Sequence, residues 1–292
     1  MTTAIILAGG AGVRFGSAKP KQMLELLGRP VLAFTLDAFH RATSIREVIL
    51  VCHNDFIGEV ERLCERERFF RVVAVVPGGA TRQASSYAGI LEAQRRGAGA
   101  LLIHDAARPL IAAEVIDEAV RRLDESGVVD VCSKTTDTIV RSHDGVVQDI
   151  PERAHLYNGQ TPQGFTMALA LAAHERALAD GITDATDDVQ LALRIGHRAV
   201  IVDGGPHNIK ITHPSDLEIA RLLLERKLGR SNVVRLTRPF SFDEREVLRT
   251  PDLTRVAVRP LLGCICAADL RYYAGQRSAE ALRRKLPMAL LH

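Results

Sequence analysis

The chain has 292 residues, 47% of them apolar and 25% charged, which is the usage of a soluble globular protein with room for one large domain or two ordinary ones. A formal charge of +3 leaves no nucleic-acid footprint, and no run reaches the ~18 apolar residues of a membrane span. The opening Met1–Leu7 lacks the basic stretch of a secretory signal, and five scattered cysteines point to reduced, cytoplasmic thiols rather than a disulfide framework.

In chain order, short β-branched runs alternate with amphipathic stretches. Ala4–Leu7, Arg46–Cys52, Arg71–Val76 and Ala100–His104 read as strands, and Val31–Ala42, Gly58–Arg66 and Arg82–Arg95 as helices. This alternation predicts an α/β fold: a parallel sheet with helices on both faces, and ligands beyond the carboxyl ends of the strands. Thr138–Arg141 and Val146–Ile150 break the pattern. They read as a hairpin around the turn signal Asp144-Gly145, either reaching a partner subunit or packed on its own domain. Ser215–Lys227 reads as a helix, and Gly229–Asn232 as a boundary between domains 1–230 and 231–292. The last segment carries 11 basic and 6 acidic side chains against 27 and 29 before it, spread as on a solvated surface. It contains the short apolar strand Arg255–Pro260, then Cys264-Ile-Cys266 and an Arg-rich helical pattern.

Chemistry concentrates in the loops after the strands. Leu7–Gly16 holds Gly9, Gly10 and Gly12, so backbone N–H groups can approach phosphate oxygens, and the cations Arg14, Lys19 and Lys21 follow. The stretch is neither a dinucleotide fingerprint nor a P-loop, and an ordinary Gly-rich turn is the alternative. His104-Asp105-Ala-Ala-Arg108-Pro109 ends a strand, placing a carboxylate where Mg²⁺ and substrate phosphates could meet; a helix-capping Asp105 with a surface Arg108 is the alternative. Weaker polar blocks follow at Pro151–Gln163, Thr186-Asp187-Asp188 and Asn208–Pro214.

Six blocks in this order resemble the cytidylyltransferase family that couples CTP to a sugar-alcohol phosphate. They are the Gly-rich loop with Arg14 and Pro20-Lys21-Gln22, Gly78-Gly79 with Arg82 and Ser85, His104–Pro109, Arg153 with Gln160–Gln163, Thr186-Asp187, and Asn208–Thr212 with Asp216-Leu217. The resemblance runs from residue 3 to about 226. It implies a Rossmann-like nucleotidyltransferase sheet with a projecting β-hairpin arm. It implies that Ala8, Gly9, Gly10, Gly12, Arg14 and Lys21 hold CTP phosphates, that Gly79 and Ser85 lie beside the cytosine and ribose, and that Asp105 and Ala106 adjoin the nucleotide, with Asp105 near Mg²⁺. It further implies that Asp105, Thr138, Arg153, Thr186 and Lys210 bind the acceptor, and that Arg14, Lys21, Arg153 and Lys210 are the catalytic cations. The family is homodimeric through the hairpin, which turns Thr138 and Arg153 towards the partner's site. No nucleic-acid or membrane partner is implied.

Two branches share this chemistry. Gly9-Gly10, Tyr157-Asn158-Gly159 before Gln160, and the lack of any Trp resemble the ribitol-phosphate branch of polyol-polymer (teichoic acid-type) synthesis rather than the methylerythritol-phosphate branch of isoprenoid synthesis. The segment after 231 resembles the N-terminal part of the zinc-dependent medium-chain alcohol dehydrogenases that reduce ribulose 5-phosphate. Such a reductase would supply ribitol 5-phosphate and is the expected functional partner. Cys266 and His292 match two of its zinc-ligand positions, but a catalytic zinc site needs three, so the segment reads as a truncated domain without reductase activity and without zinc. A non-catalytic CTP-binding remnant is the reading of another class.

Overall fold

The computed structural model describes residues 2–9 and 20–227 in full, with Leu228 and three strands beyond it as backbone. The elements in order are β1 (Thr2–Ala8), β2 (Glu25–Leu26), β3 (Arg29–Pro30), α1 (Val31–Arg41), β4 (Ile45–Cys52), α2 (Ile57–Glu67), β5 (Val72–Pro77), α3 (Arg82–Arg95), β6 (Ala100–Asp105), α4 (Ala113–Ser126) and β7 (Val128–Lys134). There follow β8 (Arg141–His143), β9 (Val146–Asp149), β10 (Tyr157–Thr166), α5 (Met167–Ala179), α6 (Val189–Arg194), β11 (Val200–Asp203) and α7 (Pro214–Leu228). The chain divides into two compact units, Met1–Ala220 and Arg221–His292. In the second, β12 (Arg230–Arg238) pairs antiparallel with β13 (Ser241–Leu248) and with β14 (Met288–Ala289). The expected Arg255–Pro260 strand, Cys264 and Cys266 lie outside the described residues.

The first unit is built on a seven-stranded sheet of order β11-β7-β10-β6-β1-β4-β5. Its interior strand β1 is apolar on both faces, as a strand covered on both sides must be. Ala4 and Ile6 point to one face, where Leu36 and Phe39 of α1, Leu63 of α2 and Ile116 of α4 cover them. Ile5 points to the other, with Ile90 of α3, Ala170 of α5 and Ala192 of α6. Helix α3 comes close enough that a Cβ on Gly89 would stand 2.4 Å from Ile5 Cγ2. The first turn of α3 is capped by Thr81, whose Oγ accepts the Ala84 N–H at 3.1 Å, an interaction worth about 1 kcal/mol.

One expectation is corrected. The sheet is mixed, because β10 runs antiparallel to both β6 and β7. A parallel return from β7 would need a crossover of a dozen or more residues, usually a helix. The chain instead turns back through the arm formed by β8 and β9. The arm's turn has Asp144 at φ 51° and Gly145 at φ 76°, the left-handed pair that a two-residue hairpin needs. Its first strand starts at Arg141 rather than Thr138, and residues 136–150 are all exposed, so the arm does not pack on its own domain.

Candidate active site

A cleft of about 860 Å³ opens at the carboxyl ends of β1, β4, β5 and β6. One wall is the turn into α3, with Gly78, Gly79, Thr81, Arg82 and Ser85. Gly79 must be glycine, since a Cβ there would meet Ala84 Cβ at 2.5 Å. Its N–H donates to Ser85 Oγ at 3.1 Å, and that hydroxyl in turn donates to Thr81 O at 2.9 Å. Gly9 and Lys21 line a second side. Lys21 opens a single 3-10 turn after Pro20, and the turn is fastened to the end of β1 by a hydrogen bond from Gln22 Nε2 to the Ala8 carbonyl. Asp184, Ala185 and Thr186 form a third side.

The floor is Asp105, the last residue of β6, buried to 7% exposure. Lys210 Nζ stands 2.8 Å from its Oδ2, Arg108 Nε 3.6 Å from the same oxygen, and Arg82 Nε 3.5 Å from Oδ1. Burial alone would raise the Asp105 pKa, but Lys210, then Arg82 and Arg108, outweigh it and hold the carboxyl well below the usual range. Burial is also the largest influence on Arg108 and lowers its pKa, whereas the carboxylates of Asp188 and Asp105 raise that of Arg82 against burial. Two carboxylates, Asp105 and the Asp188 that stands behind Arg82, against three cations leave a net positive floor, suited to a polyanion.

Each cation is held from behind. Arg108 donates to the Asn208 carbonyl at 2.8 Å, and the Ile211 N–H donates to the Ala107 carbonyl at 2.8 Å. These bonds lay the Asn208–Thr212 strip across the β6 loop and put Lys210 over Asp105. The buried Asn208 amide closes the strip by donating to Gln160 Oε1 and the Thr161 carbonyl. Under the loop, Thr161 Oγ accepts the Asp105 N–H at 3.1 Å and lies 2.9 Å from Nδ1 of the buried His104. Burial, with the Arg108 charge, pushes the His104 pKa down to about 3.

The structure therefore brings Gly9, Lys21, Gly79, Ser85, Asp105, Thr186 and Lys210 to one cleft. Ala8 and Ala106 are buried beneath it rather than lining it. Gly10, Gly12 and Arg14 lie outside the described residues, as do Cys266 and His292. Thr138 and Arg153 do not line the cleft; both are exposed, and Arg153 donates to the Thr136 carbonyl at 3.1 Å. Asp105 is also the carboxylate that the family resemblance puts near Mg²⁺. Both carboxylate oxygens face cations, and among the described residues no three His, Cys, Asp or Glu side chains gather as a metal site. A divalent ion fits this cleft as a companion of nucleotide phosphates, the usual habit of Mg²⁺, and not as an ion caged by protein.

Sequence reasoning assigned no role to Arg82 and left Arg108 open as a surface residue; Arg108 is 9% exposed. Asp188 and His174, which stand behind Arg82, carried no sequence signal beyond the Thr-Asp-Asp run.

Comparison with known proteins agrees with this geometry. Residues 2–226 match the family model described as 2-C-methyl-D-erythritol 4-phosphate cytidylyltransferase. A relative of that name from Thermobifida fusca is 40% identical over 229 residues, covering 76% of this chain and 92% of its own. A ribitol-5-phosphate cytidylyltransferase from Streptococcus agalactiae is 34% identical over 229 residues, covering 77% of this chain and 96% of its own. The crystal structure of 4-diphosphocytidyl-2C-methyl-D-erythritol synthase from Anaerococcus prevotii superposes with a TM-score of 0.68 at 32% identity, covering 77% of this chain and 96% of that one. By sequence and by fold, the chain belongs to the 2-C-methyl-D-erythritol 4-phosphate cytidylyltransferase family and is a nucleotidyltransferase.

Proposed function

We propose that residues 1–230 transfer the cytidylyl group of CTP to D-ribitol 5-phosphate, giving CDP-ribitol and diphosphate for a polyol-phosphate polymer. The observation that supports transfer to a phosphate is the floor itself, where Lys210, Arg82 and Arg108 crowd one buried carboxylate across from Lys21. A phosphate oxygen of the acceptor attacks the α-phosphorus of CTP. The new P–O bond forms as the α–β bond breaks, and the electron pair leaves on diphosphate. The attacking oxygen is already ionised at neutral pH, so the protein needs no strong base. It must hold two anions in line and offset charge on the leaving group. Lys21 stands where it can follow the phosphates, and Lys210 where it can grip the acceptor. Mg²⁺, arriving with CTP, supplies further neutralisation of phosphate charge when bound.

Thr138 and Arg153 enter this reading through a homodimer. The exposed arm presents Ile139, Val140, Val146, Val147 and Ile150, an apolar set that a second copy of the chain would cover. Arg153 would then complete the partner's acceptor site with a bidentate grip.

Support for ribitol phosphate comes from Gly9-Gly10, Tyr157-Asn158-Gly159, the lack of Trp, and the likeness of the tail to a reductase that would make ribitol 5-phosphate. The methylerythritol phosphate reading is favoured by the higher identity of the Thermobifida fusca relative, 40% against 34%. Diphosphate release from purified protein with Mg²⁺ and CTP, offered both acceptors in parallel, decides between them. Turnover with ribitol 5-phosphate alone is expected. Turnover with methylerythritol 4-phosphate alone would overturn the choice of acceptor, and silence with both from folded protein that binds CTP would favour a non-catalytic remnant.

A further inference from the structure

Arg82 lies between two carboxylates. Its Nη1 is 2.7 Å from Asp188 Oδ2 and its Nε 3.5 Å from Asp105 Oδ1. Asp188 is 2% exposed and outside the cleft, and its other oxygen, Oδ1, is held at 3.0 Å by Nε2 of His174, also 2% exposed. A carboxylate only accepts, so the His174 proton on this contact sits on Nε2. The imidazole is fixed by the Tyr87 ring of α3, stacked on it at 5.6 Å and 7°. Asp188 is pinned from its backbone as well, since its N–H donates to Gln163 Oε1 at 2.9 Å.

Burying such a network is a poor route to stability, because the desolvation of its charges offsets most of their attraction. Its geometry has a sharper consequence. His174 on Oδ1 and Arg82 on Oδ2 hold the Asp188 carboxylate from both oxygens, and the Nε of Arg82 is turned to Asp105 at the cleft. We propose that His174 is a positioning residue for nucleotide binding: by holding one oxygen of Asp188 it fixes the carboxylate that anchors Arg82 and so keeps the guanidinium presented to the phosphates of CTP. The inference rests on the CTP reading above.

The test is CTP binding by titration calorimetry, which needs no acceptor and no turnover. His174→Phe keeps the ring and removes the donor; CTP affinity should fall about tenfold while the melting temperature stays near that of the wild type. His174→Gln restores an N–H to Asp188 and should recover affinity to within about threefold. In turnover assays the loss should appear in KM for CTP, with KM for the polyol phosphate unmoved. Should His174→Phe fail to fold, Asp188→Asn, which loses the charge that holds Arg82, should weaken CTP by a similar factor. Wild-type affinity in His174→Phe, or equal weakness in His174→Phe and His174→Gln, overturns the proposal while leaving the CTP reading intact. Wild-type protein that binds no CTP overturns both.

Discussion

Asp105 and His104 are neighbours that meet acid differently. The folded state disfavours charge on His104, whose pKa lies near 3 against an ordinary 6.5. Its contribution to stability is therefore present above pH 6.5 and is lost as pH falls towards 3. Asp105 is depressed below its ordinary 3.8, so its contribution is complete above 3.8 and fades only below that. Denaturant melts over a pH series should show wild-type stability declining from 6.5 to 3.8, with a steeper fall beneath. His104→Gln should flatten the upper window, and an unchanged slope there would refute the assignment. Lys21 belongs to the same scale. Removing one preorganised cation from a transition state typically costs 10²–10³-fold, so Lys21→Ala should lower kcat by about that factor. A variant within threefold of wild type in a diphosphate-release assay would remove Lys21 from catalysis.

At the scale of elements, α3 binds the site to the core. Its first turn supplies Arg82 and Ser85 to the cleft, while Gln83 clamps the opposite wall, donating to the Ile182 carbonyl at 2.7 Å and accepting the Ala185 N–H at 2.9 Å. One turn further on, Gly89 lets the helix lie against Ile5 and Val51. Gly89→Ala would force the helix off β1 and should cost about 1–3 kcal/mol, read from the urea midpoint. The same displacement moves Arg82 and Gln83, so CTP affinity should fall alongside stability. Full affinity in a destabilised Gly89→Ala protein would show that the wall is held by its loops and not by α3.

For the whole molecule, the arm is the decisive feature. Within one chain Thr138 and Arg153 lie away from the cleft, and the proposed dimer brings them to it. Lys21→Ala and Arg153→Ala chains should each be nearly inactive alone. Mixed after unfolding and refolding together, half the dimers become hybrids, each with one intact site of two, so activity should return to about a quarter of wild type. No recovery from hybrids of confirmed composition would mean that each chain builds its site alone.

The strands β1, β4, β5 and β6 and helices α1, α2 and α3 were legible because each is set by its own period: unbroken apolar runs for strands covered on both faces, amphipathic stretches for helices. The glycine turn at Gly78-Gly79 was legible because only glycine tolerates so close a neighbour. The direction of β10 was not, since a strand's residues read alike either way and only the arm's return decides its sense. Lys21, Asp105 and Lys210 could be named as polar groups after strands, but their charge environment could not. Sequence alone settled those strands and helices, the motif order and the family, because these depend on spacing along the chain. Only the tertiary structure decided that Arg82, Arg108 and Lys210 converge on one buried carboxylate, and that His174 stands behind it through Asp188. Apart from Arg108 and Asp105, which are i,i+3 neighbours, those contacts join residues 14 to 106 positions apart, and electrostatics at 3–4 Å is fixed by packing rather than by sequence distance.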